Sequence, residues 1–129
     1  MADAVDKTTT FSFERLEAYI HARTLVKEIY RLQGRFPKEE RYALGDQVRR
    51  AAASITANIA EGCGRSSNKE KVRFIEIAFG SLTEAFSELQ IAQDLQYITE
   101  DEFDELRPYF SRVARILSGL RNSLSTETS

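Results

Sequence analysis

Residues Arg49–Ser67 read RRAAASITANIAEGCGRSS, a run of unusually small side chains that ends among Asn58, Glu61 and Cys63 beside two glycines. The run admits three readings: an active site, a phosphate loop or a packing surface. Periodicity favours the last. Val48, Ala52, Ile55, Ile59 and Gly62 alternate steps of four and three, which is the spacing of one helical face. A helix starting near Asp46 is expected, stopped by Gly62 and Gly64, which supply the left-handed backbone angles of a helix end. A phosphate loop needs a preceding strand and a Gly-Lys-Ser/Thr terminus. Gly62–Ser67 follows a helix and has no Gly-Lys pair.

Working upstream, Leu16, Tyr19, Ile20, Val26, Ile29, Tyr30 and Leu32 recur at helical spacing, predicting a first helix from Phe13 to Gln33 that ends at Gly34 and Phe36-Pro37. Downstream, Ser67-Asn68-Lys69-Glu70 has the spacing of a capping box and opens a third helix that reaches about Tyr97. Thr99-Glu100-Asp101-Glu102 repeats the box. Phe103, Leu106, Phe110, Val113, Leu117, Leu120 and Leu124 then keep a three-four rhythm along a fourth helix. Pro108 either kinks this helix or marks its true start. Short loops between long helices imply an all-α fold, an antiparallel up-down-up-down four-helix bundle over residues 13–124. The polar stretches 1–12 and 125–129 read as disordered tails.

Composition sets the bounds of function. A chain of 129 residues, 42% hydrophobic and 29% charged, fits one globular domain. Met1–Thr10 has neither the basic start nor the apolar centre of a signal peptide, and no apolar run is long enough to span a bilayer, so the cytoplasm is the expected location and no membrane is implied. One cysteine provides neither a disulfide framework nor a zinc cluster, and the net charge of −2 argues against a globally basic coat. Cys63 as a nucleophile would need a base, but the one histidine, His21, sits in an apolar-rich turn of the first helix. One histidine cannot supply the paired Glu-x-x-His motifs of a di-iron bundle. Glu76, Glu84, Glu88 and Asp94 then read as solvated or interface charges. No catalytic set, metal site or cofactor site assembles, and the chain reads as non-enzymatic.

Two helices carry more apolar surface than one core needs. On the second, Ala53, Ala57 and Ala60 continue the apolar surface around the side away from the core face; on the third, Ile75, Phe79, Leu82 and Phe86 flank the stripe of Phe74, Ala78, Ala85 and Ala92. Self-association through Ala53, Ala57, Ala60, Ile75, Phe79 and Phe86 explains the excess. A wider core that takes in both stripes is the alternative.

The ordered motifs Phe36-Pro37-Lys38-Glu39-Glu40, Leu44, Asp46-Gln47-Val48-Arg49-Arg50-Ala51-Ala52, Ser54-Ile55, Asn58-Ile59-Ala60-Glu61-Gly62, Gly64-Arg65-Ser66 and Gly80-Ser81-Leu82-Thr83-Glu84 resemble the family named for proteins encoded in 23S rRNA intervening sequences. The likeness covers about Phe11 to Leu124. It implies an antiparallel bundle that assembles as a homopentameric ring. It also implies kinship with the accessory variability protein of diversity-generating retroelements, a basic barrel that binds reverse transcriptase and nucleic acid. On the family pattern, Asn58 and Glu61 are structural polar groups that fix the end of the second helix through buried or interface hydrogen bonds. Gly45 stands where the family has a Ser or Thr cap, a change worth a few tenths of a kcal/mol. Cys63 replaces a frequent aromatic.

The basic residues form two groups in such a bundle: Arg35, Lys38, Arg41, Arg49 and Arg50 at one end, Arg65, Lys69, Lys71 and Arg73 at the other. Arg65, Lys69, Lys71, Arg73, Arg49 and Arg50 are the candidate contacts for RNA or DNA phosphates; the acidic run Glu100–Glu105 is expected to neutralise Arg49 and Arg50 and leave the other four as the freer site. No aromatics are interleaved with that cluster, so binding there should depend little on sequence. Two function classes follow: a nucleic-acid-binding oligomer, or a scaffold that docks a protein such as a reverse transcriptase.

Overall fold

The computed structural model describes residues 9–127. They form four α-helices, α1 (Glu17–Gln33), α2 (Leu44–Cys63), α3 (Asn68–Asp94) and α4 (Glu100–Glu127), with single 3-10 turns at Ser12–Arg15 and Lys38–Glu40 and no strand among the described residues. Most of the stretch expected as an N-terminal tail, and residues 128–129, lie outside that range. Ser12 already belongs to a 3-10 turn, and α4 runs past Leu124 into the stretch read as a C-terminal tail.

The helix ends follow local chemistry, with differences from expectation. α1 begins at Glu17, because Leu16 is extended (φ −69°, ψ 128°) and separates it from the 3-10 turn. Glu14 caps that turn, its Oε2 accepting from the Thr10 and Phe11 amides at 2.7 Å each. Ser67 caps α3 as predicted, its hydroxyl accepting from the Glu70 amide at 3.1 Å. Thr99 and Glu102 complete the second box: Glu102 N–H donates to the threonine hydroxyl at 3.0 Å and Thr99 N–H to the carboxylate at 2.8 Å. The α4 start is therefore Glu100, and Pro108 lies inside the helix. Pro108 is exposed, so the carbonyl it leaves without an amide partner is on the solvent side.

Three glycine readings are corrected. α2 starts at Leu44, and Gly45 is buried in its first turn. A Cβ there would lie 2.8 Å from the Glu40 carbonyl oxygen, so close approach of the preceding loop accounts for this glycine and capping does not. Neither Gly62 nor Gly64 has a positive φ. Gly62 is buried against α3, where a Cβ would meet that of Phe74 at 2.8 Å. The positive φ among the described residues belongs to Gln96, at 65°. Tyr97 N–H donates to the Ala92 carbonyl and Gln96 N–H to that of Gln93, both at 2.9 Å, which is the Schellman pattern that ends α3 at Asp94, short of the expected Tyr97.

Each helix packs closely on two neighbours among the described residues: α1 on α2 and α4, α3 on α2 and α4. The core between them is apolar. Leu25, Ile29 and Leu32 of α1, Val48, Ile55 and Ile59 of α2, Leu82 and Leu89 of α3, and Phe103, Leu106, Val113 and Leu117 of α4 are all buried. Each contributes about 1.5–3 kcal/mol of transfer free energy. The ends are tied by polar contacts. Tyr97 Oη donates to Glu40 Oε1 at 3.0 Å, joining the two loops, and Arg35 pairs with Glu102 at 2.9 Å.

Candidate nucleic-acid interface

The cluster at the start of α3 divides into held and free cations. Arg65 pairs with Glu61 at 2.8 Å, and its guanidinium lies 4.6 Å from the Phe74 ring centroid. Arg73, 3.6 Å from Glu70, lies 5.3 Å from the same centroid. Phe74 is only 7% exposed, so one buried ring carries both guanidinium groups and limits their freedom. Lys69 is exposed and Lys71 half-buried, and neither forms an ion pair among the described residues. The expected four-residue cluster is thus present, with its two arginines already partnered.

Arg49 and Arg50 are engaged differently from the expectation. Their carboxylate partner is Asp46 on the same helix, at 3.7 Å and 3.1 Å, and the acidic run at the start of α4 does not reach them; Glu102 of that run pairs with Arg35. Hydrogen bonds from Thr99 hold the Glu102 carboxyl below its ordinary pKa, with Arg35 adding to the effect. Arg49 also donates to Gln33 Oε1 at 2.8 Å and to the Arg41 carbonyl at 2.7 Å, so it clamps α1, the intervening loop and α2 together. It is a structural arginine. Arg50 remains 80% exposed.

Asn58 does not reach the end of α2. Its amide donates to the Ser54 carbonyl at 2.8 Å and the Ser54 hydroxyl at 2.9 Å. Ser81 of α3 donates to that same hydroxyl at 2.8 Å, making a polar relay across the α2/α3 seam between two serines that each stand in one of the quoted motifs. Glu61 is exposed and bonded to Arg65.

The expected interface residues also separate. Ile75 is 5% exposed and belongs to the core, a correction that follows from the seam it fills between α3 and its neighbours. Ala53 and Ala57 are exposed and Ala60 half-buried on α2. Phe79 and Phe86 are half-buried against the core, partly as the wider-core alternative has it. Phe86 packs on Phe103 at 5.0 Å and Phe110 at 5.2 Å, and with Phe79 it lines a groove of about 200 Å³ between α3 and α4. Two apolar residues missed by periodicity, Ile77 and Ile91, are 40% and 47% exposed on the outer side of α3. Their heptad-like spacing, astride Glu84, is the signal that would have found them.

A second groove, of about 380 Å³, runs between α1 and α2, lined by Tyr19, Arg23, Val26, Lys27, Tyr30 and Thr56. The four-residue steps Tyr19, Arg23 and Lys27, followed by Tyr30, place aromatics and cations on one side of α1.

Groups with catalytic potential stay scattered. Cys63 is half-buried with Ser12 Oγ at 3.9 Å, and His21 lies 3.8 Å from Glu17. Among the described residues no group of three or more His, Cys, Asp or Glu side chains is placed to hold a metal ion, and no helix is long and apolar enough to cross a membrane. Glu88 is the one strongly perturbed acid among the described residues. Burial, the neighbouring charge of Glu84 and a hydrogen bond to Glu84 push its pKa up to about 7, and its Oε1 is buried without a hydrogen-bond partner.

Comparison with known proteins adds a family and a fold. The family model described as 23S rRNA-intervening sequence protein matches residues 14–119. A crystal structure of a protein with unknown function from the S23 ribosomal protein family of Bacteroides thetaiotaomicron is similar at a TM-score of 0.74 and 18% identity, covering 81% of this chain and 97% of that one. At that identity the likeness concerns the fold. No curated protein matches the sequence.

Proposed function

The chain belongs to the 23S rRNA-intervening sequence protein family, and on that premise we propose that it is a non-enzymatic, ring-forming four-helix bundle of the cytoplasm that binds the phosphate backbone of RNA or DNA. An antiparallel up-down-up-down course is supported by the end-to-end contacts: the close of α1 meets the start of α2 and of α4, through Arg49 to Gln33 and Arg35 to Glu102. Ring assembly, as a pentamer, is supported by two different patches on different sides of the bundle. Ala53 and Ala57 are exposed on α2, while the groove of Phe79 and Phe86 lies between α3 and α4. Two unlike patches generate a head-to-tail contact, and such contacts close into a ring where the rotation between successive copies closes.

The observation that carries the nucleic-acid reading is the start of α3, where Lys69 and Lys71 have no ion pair among the described residues and Arg65 and Arg73 are fixed over Phe74. A ring repeats that cluster around one rim, and every phosphate it neutralises releases condensed counterions. The test is titration of the assembled protein with labelled RNA at several salt concentrations. Affinity should fall steeply with salt, and Lys69→Gln with Lys71→Gln should lower the logarithmic slope by about 1.4 for a single strand, about 0.7 for each lost contact. Absence of binding at low salt overturns the reading. The scaffold reading, docking of a partner protein, is favoured by the exposure of Ile77 and Ile91 on α3.

A further inference from the structure

The groove between α1 and α2 differs from the α3 cluster in kind. Its lining has two tyrosines, two cations and no carboxylate. Neither Arg23 nor Lys27 forms an ion pair among the described residues; the α1 carboxylates are turned elsewhere, Glu28 to Arg31 at 2.9 Å and Glu17 toward His21. Tyr30 is 43% exposed, and the Arg23 guanidinium lies 5.9 Å from the Tyr19 centroid. Core packing accounts for Tyr19, which is half-buried and meets Phe13 edge-on at 4.7 Å. It does not account for an exposed Tyr30 beside two cations that have no carboxylate partner among the described residues. The helical rise sets Tyr19 and Tyr30 about 16 Å apart along α1, so the stripe spans several nucleotides of an extended strand.

The geometry points to this groove as a binding site for single-stranded polynucleotide, with bases stacked on Tyr30 and on the Arg23 guanidinium and phosphates held by Lys27 and Arg23. Aromatic faces and flexible cations set along one groove are the two elements that single-strand binders combine. A duplex keeps its bases stacked inside and offers such a groove only phosphate. The site therefore adds a strand preference that the α3 cluster cannot supply. The inference rests on the nucleic-acid reading above and concerns a separate surface.

The test uses the full chain and two labelled probes of equal length, oligo-uridylate and an RNA duplex, followed by anisotropy at low salt. Tyr30→Leu is expected to weaken oligo-uridylate binding about tenfold while leaving the duplex unchanged, the size expected for loss of one stacked base. Tyr30→Phe keeps the ring and removes only the 3.5 Å contact to the Arg49 carbonyl, so it should bind as the parent does. If Tyr30→Leu melts early, Arg23→Gln with Lys27→Gln makes the same comparison, with oligo-uridylate weakened more than duplex. Equal effects on both probes, or no effect on oligo-uridylate, overturn the groove site and leave the α3 cluster standing. A change of oligomeric state in Tyr30→Leu without a change in binding assigns the groove to a second copy and also overturns it. No binding of either probe by the parent protein removes both readings together.

Discussion

Gly62 of α2 and Phe74 of α3 approach so closely that a Cβ on the glycine would lie 2.8 Å from the Cβ of the phenylalanine. The contact sits where α2 turns into α3, and Phe74 in turn carries Arg65 and Arg73. Gly62→Ala should cost about 1–3 kcal/mol, because both groups are backbone-anchored and the helices must separate to admit the methyl. Thermal melting followed by circular dichroism measures it. The same substitution at Gly80, where a Cβ would meet nothing within 4 Å, should leave stability equal or slightly higher.

The left-handed residue that closes α3 gives a prediction of opposite sign. Gln96 holds φ at 65° without the freedom of a glycine. Gln96→Gly should stabilise the protein by about 1 kcal/mol, since relief of the strained conformation exceeds the added entropy of the unfolded chain. A higher denaturation midpoint with an unchanged m-value would establish this; a lower midpoint would show that Gln96 has contacts worth more than its strain.

Glu88 makes stability depend on pH. Its folded pKa, about 7, exceeds the ordinary carboxyl value of 4.5, so between those values the folded chain holds more proton than the unfolded one. The stabilisation is complete below about pH 4.5 and is lost as pH rises through about 7. Because Glu84 shares the effect, the proton belongs to the pair. Glu88→Gln should flatten the fall in melting temperature between pH 5 and pH 8 and raise the value at pH 8. An unaltered profile would place the titration elsewhere.

Ala57→Glu tests assembly without touching the core, because Ala57 is exposed. The substitution should release folded monomers, measured as a drop in mass by light scattering with helicity retained; a buried unpaired charge costs several kcal/mol at a contact and almost nothing in water. Phe79→Glu should both disassemble and destabilise, since Phe79 also packs on the core.

Loss of a helix cap has a local and predictable size. Thr99→Ala removes the hydroxyl that accepts from the Glu102 amide and should cost about 1 kcal/mol, read as a shift in the melting curve.

The sequence by itself determined what depends on neighbours along the chain: the four helices, their number and faces, and the Ser67 and Thr99 caps, each written in spacings of three and four residues. The family was legible too, because it rests on ordered motifs. Residues far apart in the chain decided the rest. Ile75 reads as surface on a helical wheel and is core because the seam between helices reaches it. Gly62 reads as a helix stop and is a contact, because Phe74 crosses above it. Arg49 reads as a phosphate ligand and is a clamp, because Gln33 and the Arg41 carbonyl lie within its reach. Helical periodicity specifies the direction in which a side chain leaves its own axis. Which partner stands in that direction, and whether a charge found there is spent or free, depends on the placement of the other helices, and that was settled only when the four packed together.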